Sequence, residues 1–292
     1  MEKVIVTCAL TGALANRDQC PAVPYTPEEI AEEARRAYEA GAAVVHIHAR
    51  EDDGSPSWSV DVFRRIKEEV NRRCPVVVNF STGGMGPMTE RVDHIRQVKP
   101  EMGALNMGSM NYAKYSPKRK DFVFELIFAN PFSDITAYLA AMKEANVKPE
   151  MECFDLGHVT SAAPLLDMGL LVPPLQFSFI VGVLGGIDAS PENLMRMRDS
   201  IPSGSHWEVI GISKGQWRMI AAALTLGGNI RVGLEDNFYL DAAGKQMARS
   251  NGELVEKAVR MARDVGREPC TPDEARAILG LRDPWGLGPR DP

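Results

Sequence analysis

Residues 24–50 read PYTPEEIAEEARRAYEAGAAVVHIHAR. The stretch opens as a capped helix. Thr26 can accept a hydrogen bond from the open N–H groups, Pro27 suits the first helical position, and Glu28 and Glu29 suit the positive helix end. Gly41 stops the helix. Residues 43–49 are apolar and β-branched apart from two histidines, which predicts a buried strand. Its last residues carry the first sign of chemistry.

The same unit recurs on either side. Strand-like runs are expected near residues 4–10, 43–49, 75–81, 102–108, 150–156, 175–182, 207–213 and 229–235. Helical patterns lie near 60–72, 89–98, 133–146 and 251–265, and others start near His158, Pro191 and Gly215. Eight strands alternating with helices predict a parallel sheet with crossover helices, and near-continuous apolar strands predict burial on both faces. The count of eight points to a closed (β/α)8 TIM barrel, and the 292 residues fit that single-domain fold. No Gly-x-Gly-x-x-Gly follows the first strand, which argues against a dinucleotide-binding sheet. The expectation is one domain over residues 1–292. It carries a decorated loop at about 109–131 and a helical tail at about 271–281. Residues 109–121 read as a polar, basic loop and residues 122–128 as a short extra strand or helix.

Composition narrows the function classes. Lys plus Arg number 33 against 39 Asp plus Glu, a net charge of −6 spread along the chain. That argues against a nucleic-acid or anionic-membrane surface but leaves room for local basic pockets. No stretch of about 18 apolar residues predicts a membrane span, and the apolar start lacks a signal peptide's basic segment. The five cysteines are far apart with no Cys-x-x-Cys pair, so a reducing, cytoplasmic setting is expected.

In such barrels the site lies at the C-terminal strand ends. His46 and His48 end the second strand two residues apart, so both face one side. Two imidazoles at one buried strand end suit a metal; two histidines bonded to nearby backbone are the plainer reading. The eighth strand ends RVGLEDN. Strict alternation puts Arg231, Gly233 and Glu235 on one face and Asp236 on the other. Glu235 is then a third ligand candidate, and two histidines with one carboxylate leave a coordination position open. Zinc is the first choice; iron(II), manganese and cobalt suit the same donors. Arg231 can pair with Glu235 or Asp236, and Asp236, expected to be the less buried, is a candidate base.

Ser81, Thr82, Gly83 and Gly84 form a small-residue turn before a helix, which suits a carboxylate or phosphate as well as it suits a plain turn. Asn106 ends the fourth strand, and Glu152 lies in the fifth, where a buried acid needs a partner such as Arg231. His158 reads as structural or near the pocket rim, and Asp155 as a helix cap. Lys114, Lys118, Arg119 and Lys120 form either a solvated loop or a site for a phosphorylated cofactor.

These motifs resemble the β-keto acid cleavage enzyme family. The likeness runs through ALTGA, the 24–50 stretch, STGG, ALNMGSMN, ECFDLGH, GGNIRVGLEDN and the ending SNGELVEKAV with TPDEARAILGL. The resemblance implies a homo-oligomeric barrel, a dimer or tetramer, that binds zinc through His46, His48 and Glu235. It implies an exchange in which a β-keto acid and acetyl-CoA give acetoacetate and a new acyl-CoA. Asp236 matches the base, Arg231 a catalytic position, and Ser81 and Gly84 substrate-binding positions. Asn106 stands where the family has a substrate-touching threonine. Leu14 stands where aminohexanoate-cleaving members carry a glutamate for the substrate ammonium, which implies an uncharged tail here. Two other enzyme readings stay open on the same barrel, a metal-dependent hydrolase and a carbon–carbon lyase that needs no CoA. A non-enzymatic barrel would bind no metal.

Overall fold

The computed structural model describes residues 1–283, 285 and 286. Pro284 and residues 287–292, which the one-domain reading takes in, lie outside the described residues. In chain order the first half contains β1 (Glu2–Val4), β2 (Val6–Thr11), α1 (Pro27–Ala40), β3 (Val44–Ile47), α2 (Val60–Arg73), β4 (Val77–Phe80), α3 (Met88–Val98) and β5 (Met102–Asn106). A hairpin, β6 (Met110–Ser116) and β7 (Asp121–Phe128), interrupts the alternation before α4 (Phe132–Glu144) and β8 (Lys148–Cys153). Then come α5 (Leu156–Thr160), α6 (Ala162–Asp167), β9 (Gln176–Val181), α7 (Pro191–Arg198), β10 (His206–Gly211), α8 (Gln216–Thr225) and β11 (Asn229–Val232). The chain continues through α9 (Asn251–Asp264), β12 (Arg267–Pro269) and α10 (Pro272–Leu279).

Eight parallel strands close the barrel in the order β10-β11-β2-β3-β4-β5-β8-β9. Local chemistry sets the elements. Thr26 and Glu29 form a reciprocal capping box at α1, and Gly41 ends the helix in the left-handed conformation. Thr271, Glu274 and Gly280 repeat the device around α10. That last helix has a structural purpose. Ala275, Leu279 and Leu281 pack with Ile5, Val44, Val77 and Met102, plugging the N-terminal end of the barrel with apolar side chains.

Above the plug the interior is polar. Ser178 Oγ donates to Glu150 Oε1 at 2.5 Å and lies 3.0 Å from Glu208 Oε1, while Thr7 Oγ1 donates to Glu208 Oε2 at 2.7 Å. Asn79 Nδ2 donates to Glu150. Burial and the neighbouring Glu150 push the Glu208 carboxyl well up, so it holds its proton while Glu150 carries the charge.

Three expectations change. The first apolar run divides at Ile5, because its outer part pairs with β12 instead of entering the barrel. Residues 110–116 are a strand, not a loop; β6 pairs antiparallel with β7. The helix expected near His158 is two short helices that meet at Ser161. Among the described residues no helix is long and apolar enough to cross a membrane.

Candidate active site

β3 places His46 and His48 at the barrel mouth, with ring centroids 5.4 Å apart. β11 places Arg231 inside the barrel, where it is 2% exposed. After Val232 the chain leaves the strand. Gly233 has φ +145°, and a Cβ there would meet the Ala9 carbonyl oxygen at 2.1 Å, so glycine alone fits this bend. The amides of Asp236 and Asn237 both donate to the Gly233 carbonyl, forming a turn. The turn breaks strand alternation and swings both acids toward Arg231, which corrects the opposite-face placement of Asp236.

His46 Nε2 lies 3.7 Å from Glu235 Oε2, and His48 Nε2 lies 3.6 Å from Glu235 Oε1. These three residues each offer a ligand atom, all within 4.8 Å of one another. Both ring nitrogens of His46 and Oε2 of Glu235 are buried without a hydrogen-bond partner. Buried polar atoms are nearly always satisfied, so these orphans fit a cation held between them. Burial pushes the His46 pKa down to about 3, with the Arg231 charge adding to the fall. The ring is therefore the neutral imidazole that a metal requires. Burial opposes the Glu235 charge, but Arg231 and the two histidines hold its carboxyl well below the usual range. Beneath His46, Glu150 Oε2 lies 3.9 Å from Nδ1. His46, Glu150 and Glu152 form a second ligand-like group deeper in the barrel.

Arg231 organises the acids. Its Nε donates to Asp236 Oδ2 at 2.9 Å and one terminal nitrogen to Oδ1 at 3.0 Å, a bidentate pair. The same nitrogen donates to Glu235 Oε1 at 2.7 Å, and the other reaches Glu152 Oε1 at 3.5 Å. Asp236 is more buried than Glu235, with side-chain exposure of 3% against 17%, the reverse of the sequence expectation. Burial raises its pKa to about 6 against the pull of Arg231. Burial and the charge of Glu150 raise Glu152 to about 8.

A cavity of about 390 Å³ opens on this cluster. Ser81, Gly83, Gly84, Asn106, Glu152 and Leu14 all line it. Thr82 does not: its hydroxyl donates to the Ala104 carbonyl at 2.6 Å, tying β4 to β5. The Ser81–Gly84 turn also does not run straight into a helix, because α3 starts at Met88. Its backbone is instead held from behind. One Arg91 nitrogen donates to the carbonyls of Thr82 (3.2 Å) and Gly84 (3.1 Å), and His94 Nε2 bonds the Ser81 carbonyl at 3.0 Å. The Ser81 hydroxyl and the Asn106 amide, whose Oδ1 has no partner, face the cavity.

His158 is buried, and its Nδ1 accepts from the Phe154 amide at 3.3 Å, a structural role. Asp155 accepts from the Gly157 amide at 3.1 Å as a cap. All five cysteines are free and buried. Sequence reading missed Trp58, Tyr112, Phe128 and Ile212 in the cavity wall. It also missed Glu208, although an acid in the apolar run WEVIG was a visible signal.

The beta-keto acid cleavage enzyme family model matches residues 3–281. The 3-keto-5-aminohexanoate cleavage enzyme of Fusobacterium nucleatum subsp. nucleatum is 43% identical over 285 residues, covering 97% of this chain and 99% of that protein. The 3,5-dioxohexanoate:acetyl-CoA acetone transferase of Paraburkholderia graminis is 35% identical over 300 residues, covering 96% of each chain. Among solved structures, "Apo structure of ObcA" superposes with a TM-score of 0.73 at 22% identity, covering 89% of this chain and 66% of that one. This last likeness concerns the fold.

Proposed function

This chain belongs to the beta-keto acid cleavage enzyme family, and on that premise we propose that it is a zinc-dependent acyltransferase joining a β-keto acid to acetyl-CoA. The products are acetoacetate and a new acyl-CoA. The observation that carries this reading is the open set of His46, His48 and Glu235 beside the Arg231–Asp236 pair. Zinc held by those three side chains would act as a Lewis acid toward the ketone oxygen.

The chain's own groups supply the rest. Ser81 Oγ, itself held by the Gly83 amide at 3.1 Å, and the Asn106 amide hold the substrate carboxylate. Two cavity-lining carboxylates stand outside the ligand set, and Asp236 takes the proton between the two carbonyls, because its pKa of about 6 leaves it the charged one while Glu152, raised to about 8, keeps its proton. Arg231 fixes its orientation through the bidentate bond and carries positive charge next to the carbanion. Glu152 gives a proton to the carbanion of the departing acetoacetate, and the proton held by Asp236 restores it across their shared partner Arg231. The carbanion forms a carbon–carbon bond to the acetyl carbonyl and CoA thiolate leaves. The thiolate then attacks the original ketone, the bond between its carbon and the former carbanion breaks, and acetoacetate departs.

The wall beyond the charged cluster is apolar, with Leu14, Trp58, Met85, Ile180 and Ile212 facing the cavity. A charged tail would lie there unpaired, at high cost. The preferred β-keto acid therefore has an uncharged tail, unlike the substrate named for the Fusobacterium relative. Initial rates over a panel of β-keto acids check this; a preference for the 5-amino compound contradicts it. A homo-oligomer of two or four copies belongs to the same reading. Coupled detection of acetoacetate tests the reaction, and release of acetate without acyl-CoA would support the hydrolase reading instead.

A further inference from the structure

We propose that the β6–β7 hairpin is the docking element for coenzyme A, its inner face taking the pantetheine arm and its basic tip the phosphates; this rests on the acyl-exchange reading above. Three observations converge on it.

The first is continuity. Tyr112 and Leu126, cross-strand partners near the root of the hairpin, line the cavity over the metal-type cluster. The same two residues also border a groove of about 500 Å³ whose other hairpin walls, Asn111, Ala113, Glu125 and Ile127, belong to the opposite, outer face. On the inner face Phe124 follows Leu126, its ring 5.8 Å from that of Tyr112, so a track runs from the cavity out along the hairpin. Tyr112, Phe124, Leu126 and Phe128 make this track apolar, as a pantetheine arm requires. The hairpin is fastened to the barrel rim. The Ala113 amide donates to Leu184 O at 3.3 Å, and Asn130 bonds Ser109 Oγ at 2.7 Å and Gly108 O at 3.2 Å.

The second is charge. Lys114 lies two residues beyond Tyr112, opposite Phe124, on the cavity-facing side of the hairpin. Lys118, Arg119 and Lys120 follow at the tip, all exposed. Arg119 lies 3.9 Å from Asp121. Lys114, Lys118 and Lys120 have no ion-pair partner among the described residues. On a chain with net charge −6, this is a local surplus of cations at the end of an apolar track.

The third is length. From Tyr112 to Ser116 the strand advances about 14 Å. A pantetheine arm has the covalent length of about four residues of extended chain, again about 14 Å. A thioester placed beside Tyr112 therefore brings the pyrophosphate level with Ser116, next to the lysine tip.

The test compares the full chain with the triple variant Lys114→Gln, Lys118→Gln, Lys120→Gln, using acetyl-CoA and acetyl-pantetheine as thioester substrates. Removing several exposed charge contacts together should raise the KM for acetyl-CoA roughly tenfold. The KM for acetyl-pantetheine, which has no phosphate, should not move. Added salt should raise the acetyl-CoA KM of the unmodified chain and leave that of the variant nearly flat. An unchanged KM for acetyl-CoA overturns the proposal, and a changed sedimentation coefficient beside it would assign the hairpin to a contact between copies. Equal loss with both thioesters also overturns it, because the lysines would then act through the shape of the mouth. Calorimetric titration with CoA alone separates this claim from the reaction itself. Binding to the unmodified chain that is lost in the variant supports the hairpin even where no acetoacetate forms, and equal binding contradicts it.

Discussion

Gly12 has no room for a side chain: a Cβ there would lie 2.6 Å from Glu235 Cγ. Arg50, buried, donates to the carbonyls of Gly12, Ala15 and Gly54 and so holds this loop beside Glu235. At this scale the charges decide function. His46→Ala removes a proposed ligand whose two ring nitrogens have no hydrogen-bond partner, and metal analysis of the purified variant should show the ion lost; full occupancy would contradict the ligand assignment. Asp236→Asn keeps the shape but not the basicity. Turnover should fall by about 10²–10⁴-fold with metal retained, and near-normal turnover would remove Asp236 from the base role. The convergence of His46 and His48 was legible because the two share strand parity. Asp236 was misplaced in burial and facing because parity holds only within a strand, and Gly233 ends that strand. Thr82 looked like its neighbours in the turn, yet its hydroxyl is spent on the Ala104 carbonyl, a pairing no local pattern reveals.

Elements carry the site by their ends. Helix α1 packs against β2, α2 and α9, and β2 leads into the loop that bears Leu14. Arg17 also reaches Glu29 of the capping box and the Tyr25 ring. Thr26→Ala should lower unfolding stability by about 1 kcal/mol, read as a shifted urea midpoint with an unchanged slope. No measurable shift would mean that Pro27 and tertiary packing set the helix start alone. Helices and strands were legible to within a few residues, since capping chemistry and apolar runs are local signals. The hairpin was only half legible. Its first strand, MNYAKYS, is polar and half exposed because it hangs over the mouth instead of entering the core, so it lacks the apolar pattern that marks the barrel strands.

At the scale of the whole molecule, an apolar plug closes one end, a layer of buried acids and hydroxyls fills the middle, and the site opens at the other end. Buried charge couples this fold to pH. Lys148, 1% exposed, donates to the carbonyls of Val172 and Pro174, and burial lowers its pKa to about 8. Between about pH 8 and its ordinary 10.5 the unfolded chain binds this proton and the folded chain does not. The contribution of Lys148 to stability therefore rises with pH across that window and is lower below it. The stability difference between the native chain and Lys148→Met should vary with pH in that window alone; a pH-independent difference would contradict the shift. The eightfold alternation made the barrel legible, but the polar middle layer was not, because Thr7, Asn79, Ser178 and Glu208 come from four separate strands.

The most direct test of acyl exchange follows carbon. Acetyl-CoA labelled with ¹³C in both acetyl carbons is incubated with the enzyme and an unlabelled β-keto acid, and the products are read by NMR. The label should appear in C3 and C4 of acetoacetate, with the new acyl-CoA unlabelled. Label that stays in acetyl-CoA or emerges as acetate, with unlabelled cleavage products, would contradict the account.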